Sequence, residues 1–252
     1  STMPENPNFS FVASILGTEI TASLWAIFAF SGVAFVYWQI RNEIPGEGVK
    51  KGLRYGTAIS LLWFFAMLEG VSLFGNPIIK EFVVGLSDAI PVFVLSVLLS
   101  MLQTEKVEGD LSVTFTLRQK IKAVSIFTGV FLIGRYIAYF SGVIQSGNQT
   151  RPLQTFMWTL LMGIPIGAAF VLLTNNRNEH SLEHRAVKFG LLIFGLNWAV
   201  FLLFMPLLFS GYIADVLLRI IIDTTLAMIA SYLTIIPIDE FLRKTKVRRH
   251  CD

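Results

Sequence analysis

The apolar residues of the chain lie in long, nearly continuous blocks separated by short polar stretches. A helix that crosses a bilayer needs about 20 mostly apolar residues. Seven blocks are long enough: Ile20–Ile40, Leu53–Gly75, Ile79–Leu102, Lys122–Val143, Thr155–Thr174, Val187–Phe209 and Tyr212–Ile236. A transmembrane barrel would show short alternating strands instead, and the backbone groups of an unbroken apolar block can be satisfied within the block only in a helix. The pattern therefore predicts an all-α integral membrane protein, a bundle of seven transmembrane helices.

The basic residues lie mostly on one side of this predicted bundle. The loops after the first, third and fifth blocks and the C-terminal tail hold most of the 20 Lys and Arg residues. The opposite side holds only Lys80 and Arg151. Because basic loops stay on the cytoplasmic side, we expect the N-terminus outside and the C-terminus in the cytoplasm. The net charge of +3 then reflects topology, and no nucleic-acid partner is expected.

The blocks divide the chain into three parts. We expect an extracellular N-terminal segment at residues 1–19, a seven-helix domain at 20–240 and a basic cytoplasmic tail at 241–252. No basic stretch precedes the first block and no small-residue cleavage site follows it, so no cleaved signal peptide is expected. The predicted location is the plasma membrane, as a multi-pass protein with membrane lipids as partners.

Composition narrows the function classes. Hydrophobic residues make up 54% of the chain and charged residues 15%, whereas a soluble domain carries about 25% charged residues. This balance excludes a disordered protein and an ordinary soluble enzyme. The single cysteine, Cys251, and the three histidines leave no disulfide framework and no expected metal site. We find no catalytic motif, so no catalytic residues are predicted and the protein is not expected to be an enzyme.

Charged residues inside the apolar blocks are the candidate functional groups. An ionisable side chain at the centre of a bilayer costs about 2.5–3.5 kcal/mol unless it is paired or hydrated. Five lie well inside the blocks, all at the midplane or in the predicted outer half: Glu69, Asp88, Arg135, Arg219 and Asp223. Asp215 lies nearer the outer edge of the seventh block. Three of them, Asp215, Arg219 and Asp223, are four residues apart and share a helix face. We therefore expect the two arginines and the four acids to face one another across the bundle.

Two interpretations of this cluster stay open. It is either a structural salt-bridge lock between helices or a hydrated, outward-facing pocket for a ligand or an ion. Buried charges stabilise one another poorly when they are dehydrated, which favours a hydrated pocket.

Parts of the sequence resemble the microbial (type 1) rhodopsins. The run Ala29–Tyr37, the mid-helix Pro91 and the run Leu217–Asp223 are similar to stretches of that family's first, third and seventh helices. The resemblance implies a seven-helix bundle with an outside N-terminus. It also implies that Trp198 is the tryptophan of the family's pocket, and that homo-oligomers form.

The chain departs from the family at the residues of its photochemistry. The position of the family's retinal-bearing lysine is Ala227, and a Schiff base needs an amine. Four family positions on the third helix are also replaced, by Phe82, Gly85, Ala89 and Ser96. We therefore predict no cofactor and no covalent retinal, and leave non-covalent retinal or a lipid open.

Three functions are considered. The first is a rhodopsin-like protein without Schiff-base photochemistry that binds a small ligand in an outward-facing charged pocket, as a receptor or sensor. The alternative is ion transport, as a channel or pump, through Glu69, Asp88 and Asp223 with Arg135 and Arg219 as gates. A membrane enzyme that uses Glu69 or Asp88 as acid or base has no motif in its favour.

Overall fold

The structure is a computed structural model that describes residues 8–102, 115–174 and 181–248, with side chains described as far as residue 236. The remainder of the predicted N-terminal segment and tail lies outside the described residues. Within the described residues every secondary-structure element is a helix. The only β-type pairing there is an isolated bridge between Phe9 and Phe209.

Eleven α-helices and one π-helical segment follow one another along the described chain. They are α1 (Phe11–Leu16), α2 (Thr18–Ile40), α3 (Val49–Met67), α4 (Glu69–Leu73), α5 (Ile78–Met101), α6 (Leu117–Phe140), α7 (Pro152–Leu173), α8 (Leu182–Val187), the π segment (Lys188–Gly195), α9 (Leu196–Leu202), α10 (Phe204–Leu208) and α11 (Ile213–Arg248).

Six helical stretches among the described residues are long and apolar enough to cross a membrane. They are Thr18–Ile40, Val49–Leu73, Ile78–Met101, Leu117–Phe140, Pro152–Leu173 and Leu182–Leu208, and each corresponds to one of the first six predicted blocks. The chain is therefore an all-helical, multi-pass integral membrane protein. The seventh block, apart from its first residue Tyr212, falls within α11, a continuous helix of 36 residues.

The bounds of the helices differ from the predicted blocks where polar residues form the first turn. The fourth block was predicted from Lys122, but α6 begins at Leu117. Thr116 caps this helix through a capping box with Gln119, whose backbone N–H donates to the Thr116 hydroxyl oxygen at 3.3 Å. A capped polar turn is stable as a helix although its hydropathy is that of a loop.

The outer surface of the bundle is apolar. Ile27, Ile90, Ile133 and Ile137 are each more than half exposed, although they lie in the middle or last turns of spanning helices. Inside the bundle, α3 packs on α5 and α7, α6 packs on α7 and α11, and α2 packs on α9. The exposed isoleucine side chains on the outer surface are in a favourable environment only when lipid surrounds them.

Small residues allow α6 and α7 to pack closely. A Cβ at Gly163 of α7 would lie 2.5 Å from the Thr128 Cα of α6, and a Cβ at Gly167 would lie 2.7 Å from the Val124 Cα. These glycines let the two backbones approach, as small residues commonly do in membrane bundles.

Two of the spans are interrupted. The second span breaks at Leu68, so that α4 begins at Glu69. The sixth contains the π segment and a second break at Leu203. Pro91 and Pro165, by contrast, lie inside the continuous helices α5 and α7.

The N-terminal segment folds back onto the end of the sixth span. The Ser10 N–H donates to the Leu208 carbonyl at 2.9 Å, and the Ser210 N–H donates to the Asn8 carbonyl at 2.8 Å. The Phe9 ring also stacks on Phe209. These contacts fix the segment before α1 beside the turn that leads into α11.

Candidate functional site

A bidentate ion pair joins α6 and α11 in the interior. The Arg135 Nε donates to the Asp223 Oδ1 at 2.6 Å, and Nη2 donates to Oδ2 at 2.5 Å. The indole N–H of Trp198, on α9, donates to the same Oδ2 at 2.8 Å. Both charged side chains are completely buried. Three donors therefore compensate a carboxylate whose burial is otherwise costly.

Glu69 links this pair to a second arginine. Its Oε1 accepts from Arg135 Nη1 at 3.2 Å and from Arg219 Nη1 at 2.6 Å. Glu69 begins α4 directly after the break at Leu68, which directs it at both guanidinium groups. One carboxylate thus separates two cations that would otherwise repel each other.

The second arginine is held from its own helix and from a loop. The Arg219 Nε donates to Asp215 Oδ2 at 2.5 Å, one turn earlier on α11, and Arg219 Nη2 donates to the Gln145 carbonyl. The Gln145 N–H donates to Asp215 Oδ1 at 2.7 Å. We call Glu69, Arg135, Asp215, Arg219 and Asp223 the charge network.

Aromatic rings surround the buried end of the charge network. The Arg135 guanidinium carbon lies 5.3 Å from the centre of the Phe131 ring and 5.2 Å from that of Trp158. At these distances the ring faces attract the cation electrostatically. The Tyr139 hydroxyl lies 3.4 Å from Arg135 Nη1.

Arg151 supports the segment that carries Glu69. Its Nε donates to the Ser72 carbonyl at 2.9 Å and its Nη2 to the Leu73 carbonyl at 2.6 Å. These carbonyls end α4, where a cation is favourable because helix C-termini carry partial negative charge. The sequence identified Arg151 only as a loop charge.

The charge network opens on one side to a cavity of about 310 Å³. Its walls come from α2, α5, α11, the broken ends of spans two and six, and the loop before α7. The lining is mostly apolar, with a polar side formed by four of the six predicted site residues: Glu69, Asp88, Asp215 and Arg219.

The remaining predicted site residues lie behind the cavity. Arg135, Asp223 and Trp198 are not among its lining residues. Arg135 and Asp223 thus form a completely buried pair, whereas Asp215 and Arg219 border the cavity. Trp198 stacks between Phe194 and Phe201.

Asp88 stands apart from the charge network. It lines the cavity from α5, and no hydrogen bond or salt bridge joins it to another described residue. The expected meeting of four acids with two arginines is therefore present for three of the acids. Asp88 faces the same space without an arginine of its own.

Glu81 is a buried acid that was missed in the sequence. It is fully buried on α5, and its Oε1 accepts from Asn76 Nδ2 at 2.6 Å. Its Oε2 has no partner among the described residues. A Cβ on Gly70 would lie 2.6 Å from the Glu81 carboxyl carbon, so the absence of a side chain there makes room for it. Glu81 lies in the first turn of α5, and hydropathy alone does not distinguish a buried acid from a hydrated one at a helix end.

Two features bear on cofactors: the arrangement that a metal ion needs and the residue at the family's retinal position. No group of three or more His, Cys, Asp or Glu within the described parts of the chain is arranged to hold a metal ion. Ala227 is buried in the core one turn after Asp223. The arrangement can bind an amphipathic small molecule. The charged side chains on one wall would contact the ligand's polar group, and the apolar walls would contact its hydrocarbon part.

Comparison of the chain with protein-family models, with curated proteins and with solved structures found no match.

Proposed function

We propose that the protein is a rhodopsin-like, seven-helix membrane protein that binds a small ligand in the cavity, as a receptor or sensor, without Schiff-base photochemistry or enzymatic activity. The proposed orientation puts the N-terminus and the cavity outside and the C-terminus in the cytoplasm of the plasma membrane. The cavity carries the proposal, because it combines a charged wall with mostly apolar walls around a volume of about 310 Å³.

A seventh span at α11 is supported by what surrounds it. This helix packs against α6, α8 and the π segment, and Val216, Ala227 and Ala230 on it are buried in the core. Arg219 and Asp223 on this helix contact charged residues of α4 and α6 inside the bundle and are almost completely buried. A helix embedded in this way among spanning helices is most simply a span itself.

The position of the cavity supports the proposed orientation. Gln145 and Ser146, in the loop before α7, line it. This loop belongs to the side of the bundle that is poor in basic residues, which is the outer side by the distribution of Lys and Arg. Ligands would thus enter from outside the cell.

Cavity-filling substitution gives a direct test of ligand binding. Val84 lines the cavity, whereas its neighbour Val83 is more than half exposed on the lipid side of α5. We expect compounds from a screen of small cations, anions and neutral molecules to raise the Tm of the purified wild-type protein and of Val83→Phe, but not of Val84→Phe.

The ligand-binding proposal is contradicted if no compound shows a shift in Tm that depends on Val84. The Val83→Phe variant controls for general effects of an added ring, since both positions lie on the same helix and receive the same side chain.

The absence of a Schiff base is tested with retinal. We expect protein purified with all-trans-retinal to show no red-shifted visible absorption band that survives washing, because Ala227 has no amine to form the imine. A persistent red-shifted band that is bleached by hydroxylamine would refute this expectation.

Ion transport is the second candidate, and one observation favours it. The hydroxyls of Ser60, Thr128, Thr224 and Ser231 are buried without hydrogen-bond partners among the described residues. Thr224 and Ser231 follow Asp223 toward the basic side of the bundle, as groups along a hydrated path would. Proton or cation flux into liposomes that is abolished in Asp223→Asn would favour transport over ligand binding alone.

A further inference from the structure

We propose that the ligand of the cavity is an organic cation: an amine or quaternary ammonium group on an apolar body. This inference rests on the proposed ligand-binding function and names the chemistry that the cavity walls recognise.

The charge balance at the cavity favours a cation. Arg135 and Asp223 neutralise each other behind the wall, and Arg219 forms an ion pair with Asp215 at 2.5 Å. Two carboxylates then remain without a cation of their own, Glu69 and Asp88. Glu69 shares its Oε1 with both arginines, while Asp88 has no ion-pair partner among the described residues. A positively charged ligand would balance this excess.

The guanidinium group that borders the cavity is not available to attract an anion. Arg219 already donates to Glu69, Asp215 and the Gln145 carbonyl, and its side chain is 3% exposed. An anionic ligand would have to displace one of these partners, and it would also approach the carboxylate of Asp88.

The aromatic walls favour an organic cation over a metal ion. Six aromatic side chains line the cavity: Trp25, Phe74, Phe201, Phe204, Phe209 and Tyr212. Proteins bind metal ions through oxygen, nitrogen or sulfur ligands. Among the described residues, no three His, Cys, Asp or Glu side chains are arranged to hold a metal ion. Ammonium groups, by contrast, bind well over the faces of aromatic rings.

The contacts of Trp25 hold its side chain so that the aromatic ring, and not the indole N–H, is available to a ligand in the cavity. Its indole N–H donates to the Val200 carbonyl at 2.8 Å, and its ring packs against the Phe204 ring with 4.7 Å between the centroids. Since its only donor is occupied, Trp25 contributes to the cavity only as an apolar, π-electron-rich wall.

Three probes of nearly the same shape test the charge of the ligand: benzyltrimethylammonium, the neutral neopentylbenzene and the anionic phenylmethanesulfonate. Binding to the purified full chain in a non-ionic detergent is followed by tryptophan fluorescence, since Trp25 lies in the wall. We expect the cation to bind at least about tenfold more tightly than the neutral probe, and the anion not to bind.

The role of Asp88 is tested with a matched pair of variants. Asp88→Asn is expected to weaken binding of the cation by about tenfold to a hundredfold and to leave the neutral probe unchanged, because it removes one charged partner. Glu43→Gln removes a carboxylate that pairs with Lys188 at the other end of the bundle, and it is expected to change neither affinity.

The outcomes separate this inference from the proposed function. If the neutral or anionic probe binds as tightly as the cation, and Val84→Phe blocks that binding, the cation inference is wrong while ligand binding stands. An unchanged affinity for the cation in Asp88→Asn also overturns the inference. If no compound of any charge binds, the proposed function itself fails.

The ammonium group has two sources, a free amine and a lipid headgroup, and competition distinguishes them. Displacement of the probe by dihexanoyl phosphatidylcholine, but not by its phosphatidylglycerol counterpart, identifies a headgroup as the source. Displacement by neither identifies a free cation. Both results support the shared ammonium chemistry, whereas displacement by phosphatidylglycerol alone contradicts it.

Discussion

Arg135 is the residue on which most of the buried charge depends. It bonds to Asp223 through two of its nitrogens and to Glu69 through the third, while its own side chain has no exposed surface. A buried ion pair adds little net stability compared with apolar residues of the same volume. Removal of one partner alone, however, leaves an uncompensated charge in the interior.

Substitution of Arg135 separates these two effects. We expect Arg135→Met to lower the free energy of unfolding by about 3–5 kcal/mol, and the double variant Arg135→Met/Asp223→Leu to regain most of this loss. Unfolding by titration with SDS, followed by tryptophan fluorescence, measures both. The exposed Arg118→Met, in the first turn of α6, should stay within about 0.5 kcal/mol of the wild type.

Equal stability of Arg135→Met and Arg118→Met would mean that Asp223 is hydrated or protonated rather than paired, and the description of a dry ion pair would be wrong.

The sequence predicts some side-chain partners and not others. The four-residue spacing of Asp215 and Arg219 predicts their contact, since such residues are neighbours on any helix. The same spacing equally allows Arg219 to pair with Asp223, but Asp223 pairs with Arg135 instead. Which helix faces Asp223 depends on the rotation of α6 and α11, and hydropathy carries no information about that rotation.

At the scale of elements, the glycines of α7 determine how closely it packs on α6. The Cβ positions at Gly163 and Gly167 are blocked by Cα atoms of α6 rather than by flexible side chains. Backbone atoms cannot move aside without separating the helices. Gly129 of α6, in contrast, has open space around its Cβ position.

Alanine substitution tests this packing with an internal control. Gly163→Ala is expected to destabilise the protein by about 1–3 kcal/mol because it overpacks the interface. Gly129→Ala is expected to be neutral or to stabilise by up to about 1 kcal/mol, since alanine is the better helix former. Thermal unfolding in detergent measures both, and a Gly163→Ala variant as stable as Gly129→Ala would contradict the close approach.

The helices themselves follow from hydropathy, whereas their irregularities do not. The blocks predict the first six spans to within a few residues at most ends, because length and apolar content suffice to define a span. Hydropathy does not predict the break at Leu68 or the π segment at Lys188–Gly195, since both lie inside spans whose mean hydropathy is that of a membrane helix. Yet the break at Leu68 is what places Glu69 between the two arginines.

At the scale of the whole molecule, the buried charge network and the cavity lie at one end of a bundle of membrane helices. The order in which the helices pack could not be predicted, because neighbours such as α3 and α7 are far apart in sequence. The side of the membrane that the cavity faces was predicted from loop charges alone. The proposed function requires an acidic cavity that opens to the outside.

Chemical modification of a cysteine in the cavity wall tests this requirement. Met67, which lines the cavity, is changed to cysteine in a Cys251→Ser background. The variant is treated in sealed, right-side-out vesicles with the cationic reagent 2-(trimethylammonium)ethyl methanethiosulfonate or the anionic 2-sulfonatoethyl methanethiosulfonate. Gln149→Cys, in the exposed loop before α7, is the control for the outer surface, and Glu47→Cys is the control for the inner surface.

We expect external reagent to modify Met67→Cys and Gln149→Cys, and to modify Glu47→Cys only after the vesicles are permeabilised. The ratio of cationic to anionic rates should be at least about tenfold higher at Met67→Cys than at Gln149→Cys, because a cleft lined by acids concentrates cations. Modification of Met67→Cys only after permeabilisation, or equal ratios at the two positions, would contradict an acidic cavity that faces outward.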